Sequence, residues 1–180
     1  MMANVGIFFG TDTGYTRKAA KSMAKQLGKT LVPDKPLNIN RTTVAEFISY
    51  DALILGTPTY GDGQLPGKSA GLEEESWAEF LPRLQGKNLS GKIVALYGFG
   101  NQKKYGEHYV NAMGLLYEAV TALGANVIGA WPIDGYEFEH SGAVREGRFV
   151  GLALDDKNQA MLTPERVAQW LALIKPEFVE

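Results

Sequence analysis

Short apolar runs that alternate with amphipathic segments of helical period are the feature of this sequence that most restricts its fold. Residues 4–9, 52–56 and 92–97 are such runs, and each ends at or next to a glycine. Uninterrupted apolar runs of this length are typical of strands that are buried on both faces of a sheet. Strand–helix alternation therefore predicts one α/β domain over residues 1–180, with a parallel sheet covered by helices on both faces.

Helices are expected after the first and fourth strands and at the end of the chain. Residues 107–123 carry apolar side chains at helical spacing, and Thr163 followed by Pro164 is a typical helix start, with Thr163 as the N-cap. A further helical pattern near residue 80 is expected to end or kink at Pro82. Residues 30–40 are weakly patterned and are predicted to contain one short strand. The apolar positions of the first and last helices are Ala20, Met23, Ala24, Leu27, Val167, Trp170, Leu171 and Ile174.

Composition excludes several kinds of chemistry. The chain has no cysteine, which rules out disulfides, thiolate nucleophiles and iron–sulfur ligation, and its two histidines, His108 and His140, do not suggest a metal site. A net charge of −2 argues against a nucleic-acid partner. No run approaches the roughly 20 apolar residues of a membrane span, and no basic leader precedes the first strand, so we expect a cytoplasmic protein. A chain of this composition needs an organic cofactor to handle electrons.

Ligands of open parallel sheets bind beyond the carboxyl ends of the strands, where the strand order reverses. The loop at residues 10–16 follows the first strand and combines two glycines and three threonine hydroxyls with the N-terminus of a helix. These groups suit a phosphate, because backbone N–H groups and the helix dipole stabilise anions. The loop lacks the lysine of a Walker motif and the glycine spacing of a dinucleotide site. The alternative is that the loop only makes a tight turn and caps the helix.

The loops after the third and fourth strands, residues 57–66 and 98–105, each consist mainly of small, turn-forming residues. Each also carries a tyrosine, Tyr60 in one loop and Tyr105 in the other. Two tyrosines on neighbouring loops are suited to clamp a planar ring between them. The alternative is that each tyrosine packs its own loop against the surface of the domain.

Taken together, the three loops resemble those of the flavodoxin family, and the resemblance extends over nearly the whole chain. It implies a three-layer α/β/α fold with a five-stranded parallel sheet of order 2-1-3-4-5. Residues 131–138 and 147–154, followed by Asp155 and Gln159, look like the extra loop and the resumed last strand of long-chain flavodoxins. Residues 66–77 are similar to the corresponding stretch in flavodoxins of nitrogen-fixing bacteria.

The resemblance also implies a cofactor, an activity and partners. The cofactor is FMN, which would cycle through quinone, semiquinone and hydroquinone states in a monomeric, low-potential, one-electron carrier that is not an enzyme and holds no metal. The implied acceptor is the nitrogenase iron protein or a similar redox enzyme, and the implied donor is a pyruvate- or NADPH-linked flavodoxin reductase. The implied cofactor-binding residues are Thr11, Asp12, Thr13, Gly14, Tyr15, Thr16, Thr57, Pro58, Thr59, Tyr60, Gly61, Asp62, Gly98, Phe99, Gly100, Asn101, Gln102 and Tyr105.

Individual roles follow from the same resemblance. Tyr105 would stack on the outer face of the flavin ring and Tyr60 would cover the inner face. The peptide between Gly61 and Asp62 would turn its carbonyl towards flavin N5 once that atom is protonated, because glycine tolerates the required backbone angles.

The chain departs from the family's usual pattern beside Tyr105. Asn101 replaces the family's usual aspartate, and Lys103 and Lys104 stand next to Tyr105. These changes predict a second reduction potential that is less negative than that of an all-acidic homologue. The alternative is that both lysines point into water.

The sequence leaves open two alternative functions and the role of one surface. The chain could be an FMN-dependent NAD(P)H or quinone reductase of the same fold, or a regulatory module that binds FMN or phosphate. The absence of a recognisable nicotinamide site or acid–base catalyst favours a carrier. An acidic patch, made of Glu73, Glu74, Glu75 and Glu79, is either a solvated face or a docking surface for a basic partner.

Overall fold

The protein is described here by a computed structural model that covers residues 2–10 and 14–179. The strands in these ranges are β1 (Val5–Phe9), β2 (Leu37–Asn38), β3 (Ala52–Pro58), β4 (Ile93–Phe99), β5 (Asn126–Ile128), β6 (Trp131–Pro132), β7 (Val144–Arg145), β8 (Arg148–Phe149) and β9 (Leu152–Leu154). The α-helices are α1 (Tyr15–Leu27), α2 (Val44–Ile48), α3 (Trp77–Arg83), α4 (Asn111–Ala122) and α5 (Thr163–Phe178).

The main sheet is parallel throughout and has the strand order β2-β1-β3-β4-β5, which confirms the predicted topology. The fifth position of the sheet is shared by two strands. β5 pairs with the first half of β4 and β9 pairs with its second half, so that Ile93 lies opposite Asn126 and Phe99 lies opposite Leu154. The prediction that a long loop interrupts the last strand is therefore confirmed.

Each face of the sheet is covered by its own hydrophobic cluster. Alternate side chains of β1 point to opposite faces, so Ile7 and Phe9 join one cluster while Phe8 joins the other. The first cluster includes the apolar faces of α1 and α5, and the second includes those of α3 and α4. Trp170 and Trp77 are fully buried on these two faces. The result is the predicted three-layer arrangement, with helices on both faces.

The segment between β5 and β9 forms a small antiparallel sheet of order β6-β8-β7. Phe149 on β8 packs its ring against those of Tyr109, Tyr136 and Phe138, with centroid distances of 5.9, 5.0 and 5.4 Å. Because Tyr109 precedes α4, this aromatic cluster joins the inserted segment to the main domain.

Two helix starts differ from the sequence-based expectation. Helix α5 begins at Thr163 itself, and the hydroxyl of Thr163 donates to the Asp156 carboxylate at 3.1 Å instead of capping the helix. Helix α4 begins only at Asn111, because Val110 has a left-handed φ of 44° that interrupts the helical path. The predicted helix near residue 80 ends one residue after Pro82, as expected. Within the described ranges, no helix combines the length and apolarity needed to cross a membrane.

Candidate functional site

A cleft of about 330 Å³ lies beyond the carboxyl ends of β3 and β4, next to the N-terminus of α1. The strand order reverses between β1 and β3, and this is the position at which open parallel sheets bind their ligands. All three predicted loops contribute to its walls. The predicted site residues that line the cleft are Tyr15, Pro58, Thr59, Tyr60, Gly61, Phe99, Gly100, Asn101 and Tyr105.

Other predicted residues lie around the cleft rather than in its wall. Thr16 is buried and its hydroxyl donates to the carbonyl of Gly10, while its own carbonyl accepts from the hydroxyl of Tyr97 at 2.7 Å. The hydroxyl of Thr57 donates to the carbonyl of Pro58. Gly98 lies in β4, where a side chain would meet Met113. The predicted phosphate contacts Thr11, Asp12 and Thr13 lie outside the described residues, and Gly14 caps α1 with a φ of 94°.

The loop that follows β3 is a tight hairpin whose ends are fixed. The Tyr60 N–H donates to the Gln64 carbonyl at 2.9 Å, and the Gln64 N–H donates back to the Tyr60 carbonyl at 2.6 Å. The hydroxyl of Thr59 accepts from the Ala112 N–H, which attaches one side of the hairpin to α4. The tip contains Gly61 with a φ of 50°, so the peptide predicted to turn sits where backbone rearrangement is easiest.

The same hairpin is attached to the inserted segment through one side chain. The amide of Asn111 donates to the Gly63 carbonyl at 2.8 Å and accepts from the Gly142 N–H at 2.9 Å. Asn111 is the first residue of α4, so its backbone is held by the helix. The hairpin is therefore attached to α4 at two points, Asn111 and Ala112, and the residues left to move are those of its tip.

The loop that follows β4 is anchored by a buried carboxylate. Asp155, which is fully buried, accepts from the backbone N–H and the side-chain amide of Gln102, both at 2.9 Å. Burial raises the pKa of this carboxyl, but the hydrogen bonds from Gln102 and Asn158 outweigh it, so the pKa lies below its ordinary value. An ionised Asp155 thus holds the start of the loop that carries Tyr105.

Gln102 and Asp62 occupy different surroundings from the other predicted contacts. The Gln102 side chain is buried, and besides Asp155 its amide donates to Gln159 and its carbonyl accepts from the Glu137 N–H. Its polar atoms are therefore committed to protein partners. Asp62 is exposed and lines a neighbouring cavity together with Lys103.

The rim of the cleft carries two lysines, each beside a tyrosine. The ammonium of Lys104 lies 5.4 Å from the centroid of the Tyr105 ring, and that of Lys157 lies 5.3 Å from the centroid of the Tyr15 ring. Tyr105 is 47% exposed, which leaves its ring accessible at the mouth of the cleft. Lys104 therefore lies at the cleft, whereas Lys103 lines the neighbouring cavities.

Five cleft residues were not predicted: His108, Tyr109, Val110, Asp156 and Lys157. The last two directly follow β9, so inspection of the residues after every strand, including the resumed last one, would have found them. Tyr109 carries no such signal, because in the sequence it is one more apolar position of the helical pattern at residues 107–123. Burial raises the pKa of the Tyr109 hydroxyl well above its ordinary value, so this hydroxyl stays neutral. In the part of the chain that the structure describes, no group of three side chains is arranged to hold a metal ion.

Comparison with known proteins identifies the family. The family model described as flavodoxin matches residues 7–170. The chain belongs to the flavodoxin family. It is 55% identical to a flavodoxin of Klebsiella pneumoniae over 174 residues, which are 97% of this chain and 98% of the relative. It is 40% identical to flavodoxin 1 of Escherichia coli K12, over 98% of this chain and 95% of that relative.

Solved structures of flavodoxins agree with this assignment. A crystal structure of Fusobacterium nucleatum flavodoxin bound to flavin mononucleotide superposes with a TM-score of 0.84 at 35% identity, covering 98% of this chain and 99% of that one. The identity and the near-complete coverage place this flavodoxin among electron-transfer proteins rather than enzymes.

Proposed function

We propose that this flavodoxin binds FMN in the cleft beyond β3 and β4 and carries single electrons between larger redox enzymes. The observation that carries the proposal is the position of Tyr60 and Tyr105 on neighbouring loops that line one cleft at the point where the strand order reverses. The Fusobacterium nucleatum flavodoxin, which superposes over nearly the whole chain, is bound to flavin mononucleotide. When bound, FMN supplies two successive one-electron reductions, which the protein tunes through its surroundings.

The residues present fit this cofactor. Tyr60, Tyr105 and Phe99 offer aromatic surface for a planar ring. Helix geometry leaves the first N–H groups of α1 without intrahelical partners, and these suit a phosphate. We propose that the loops at residues 10–16, 57–62 and 98–105 form the binding site, including Thr11, Asp12 and Thr13. Gln102 would contribute indirectly, by holding its loop on Asp155.

Residues 1–180 would act as one domain, because both hydrophobic clusters lie against the same sheet. We further propose that the protein works as a monomer in the cytoplasm. The proposed partners are a nitrogenase iron protein or similar acceptor and a pyruvate- or NADPH-linked reductase as donor. Support for these partners comes from the resemblance of residues 66–77 to flavodoxins of nitrogen-fixing bacteria.

The acidic patch bears on partner docking less strongly than its sequence suggests. Glu75 pairs with Arg83 at 2.8 Å, and Glu74 accepts from the Asn40 amide at 2.8 Å. Glu79 accepts from the backbone N–H groups of Ser76 and Lys68 near the start of α3. Arg83 therefore offsets the charge of Glu75, whereas Glu74 and Glu79 keep their charges and are held by neutral donors, so the patch would offer a partner less net charge than its four carboxylates suggest.

An anaerobic reductive titration of the purified protein, followed by its visible spectrum, tests the proposed function. The expected result is a yellow protein that is reduced in two separate one-electron steps, the second at low potential. Direct two-electron bleaching by NADH or NADPH would contradict the carrier function and favour a reductase. A colourless protein that does not take up added FMN would contradict the cofactor assignment.

A further inference from the structure

We propose that Lys157 recognises the phosphate group of FMN, an inference that rests on the FMN-binding function proposed above. The lysine follows β9 and belongs to none of the three loops that the sequence predicts to bind the cofactor. It nevertheless lines the same cleft as Tyr60 and Phe99. The binding site would then include residues that follow a fourth strand, β9, and would gain a cationic side chain.

The backbone of Lys157 is held in place by the buried Asp155. One oxygen of that carboxylate accepts from the Lys157 N–H at 3.0 Å and from the Asn158 N–H at 2.9 Å. The side chain of Asn158 in turn donates to Asn101 in the loop after β4, at 2.8 Å. The turn that carries Lys157 is therefore fixed to the cleft, which reduces the entropy lost when the lysine side chain contacts a ligand.

The side chain of Lys157 reaches the N-terminus of α1. Its ammonium lies 5.3 Å from the centroid of the Tyr15 ring and 3.5 Å from the Tyr15 hydroxyl. Tyr15 is the first residue of α1, and its ring also stacks on Phe99 with centroids 6.0 Å apart. A positive charge thus lies beside the side chain of the residue that begins α1, and the N–H groups and dipole of that helix end favour an anion.

The predicted phosphate loop supplies no basic side chain of its own to balance the charge of a phosphate. Residues 10–16 contain no lysine or arginine and do contain Asp12. A phosphate monoester carries about −1.5 to −2 charges at neutral pH. Among the described residues that line the cleft, the lysines are Lys104, beside Tyr105, and Lys157, beside Tyr15. Arg17 does not line the cleft, but its guanidinium lies 4.0 Å from where a Cβ of Gly14 would be, so it is the competing cation that the experiment must include.

Lys104 and Lys157 are similar enough in their surroundings for the effects of replacing each one to be compared. Both are exposed, both lie over a tyrosine ring at nearly the same distance, and they differ in which end of the cleft they approach. If Lys157 contacts the phosphate, its replacement weakens the binding of FMN but not that of riboflavin, which lacks the phosphate. Replacement of Lys104 affects FMN and riboflavin equally.

The test compares dissociation constants of FMN and riboflavin for the full chain freed of flavin, measured by flavin fluorescence in a buffer without phosphate. Lys157→Gln is expected to weaken FMN about 3- to 10-fold at low salt and to leave riboflavin unchanged, because an exposed charge-assisted contact is worth roughly 1 kcal/mol. High salt should reduce the difference, and Lys157→Arg should restore FMN binding. A circular dichroism spectrum verifies that each variant is folded.

Two results would overturn the inference. One is equal weakening of FMN and riboflavin by Lys157→Gln, which would mean that the lysine only supports Tyr15. The other is unchanged FMN binding by Lys157→Gln while Arg17→Gln gives the selective loss. Failure of the unaltered chain to bind FMN would instead defeat the proposed function itself, so the two failures are distinguishable.

Discussion

At the residue scale, we expect Lys104 to tune the second reduction of the proposed flavin. Its ammonium lies at the cleft beside Tyr105, so it would stabilise the negative charge added in the second reduction. One charge about 10 Å away is worth roughly 0.4 to 1.7 kcal/mol for dielectric constants between 80 and 20. Since about 1.4 kcal/mol corresponds to 59 mV for one electron, Lys104→Gln should lower the second potential by about 20 to 70 mV.

Potentiometric titration of the holoprotein checks this prediction. Lys104→Arg keeps the charge and should leave the second potential near its original value. Lys103→Gln should have a smaller effect, because Lys103 lines the neighbouring cavities. Equal shifts for the two glutamine variants would show that net charge alone, and not the position of Lys104, sets the potential.

Asp155 controls the acid stability of the site. Its pKa is lowered in the folded protein, so its contribution to stability is present above the unfolded pKa of about 4 and is lost as the pH falls through the folded pKa. Asp155→Asn should lower the free energy of unfolding by about 2 to 4 kcal/mol at pH 7, because several buried donors lose an ionised acceptor. Urea unfolding between pH 7 and pH 3 should show that this difference shrinks below about pH 4. A difference that is independent of pH would mean that the loss comes from packing alone, and Asp156→Asn is the neighbouring control.

The hairpin after β3 is the element whose movement would separate the two reduction steps. Its ends are held by Thr59 and Asn111, while Gly61 at the tip has a φ of 50°. A side chain at Gly61 would lie 2.8 Å from Oε1, the side-chain amide oxygen of Gln64, and would crowd the peptide that is proposed to turn. Left-handed backbone costs other residues roughly 1 to 2 kcal/mol, so Gly61→Ala should change the balance between the two arrangements of the tip and shift the gap between the two potentials by at least about 40 mV.

Spectroelectrochemistry of Gly61→Ala measures both potentials in one experiment. Gly86→Ala is a suitable control, because Gly86 also has a left-handed φ, of 83°, but faces open space. The control should lose stability without any change in the potentials. If the gap between the potentials is the same in Gly61→Ala as in the unaltered protein, the tip of the hairpin does not rearrange during reduction.

At the scale of the whole molecule, the sequence predicted those features that local periodicity and loop chemistry determine. The apolar runs predicted β1, β3 and β4, and glycines with tyrosines marked the ends of β3 and β4. Long-range partners left no such signal. No sequence pattern near Gln102 indicates its hydrogen bond to Asp155, 53 positions away. Likewise, no pattern near Lys157 indicates its contact with Tyr15, 142 positions away. Of these residues, Lys157 was not predicted to line the cleft, because its position depends on how β9 pairs with β4.

The inserted segment between β5 and β9 packs against Tyr109 in one wall of the cleft. We therefore expect a substitution in its core to lower both the stability of the protein and its affinity for FMN. Phe149 is fully buried against Tyr109, which lines the cleft and donates its hydroxyl to the Leu154 carbonyl at 3.1 Å. Phe149→Ala should lower the free energy of unfolding by about 3 to 5 kcal/mol and also weaken FMN binding, because Tyr109 loses its support.

Phe178→Ala provides the comparison that separates these two effects. Phe178 is equally buried, but it lies at the end of α5, where its carbonyl accepts from the Ala3 N–H just ahead of β1. This contact is at the amino ends of the strands, opposite the carboxyl ends that carry the cleft. Both variants should be destabilised to a similar degree in urea, since each loses one buried ring. Only Phe149→Ala should show a raised dissociation constant for FMN under conditions in which both variants are fully folded. Equal effects on FMN would mean that flavin affinity follows overall stability, and that the inserted segment has no separate role in shaping the cleft.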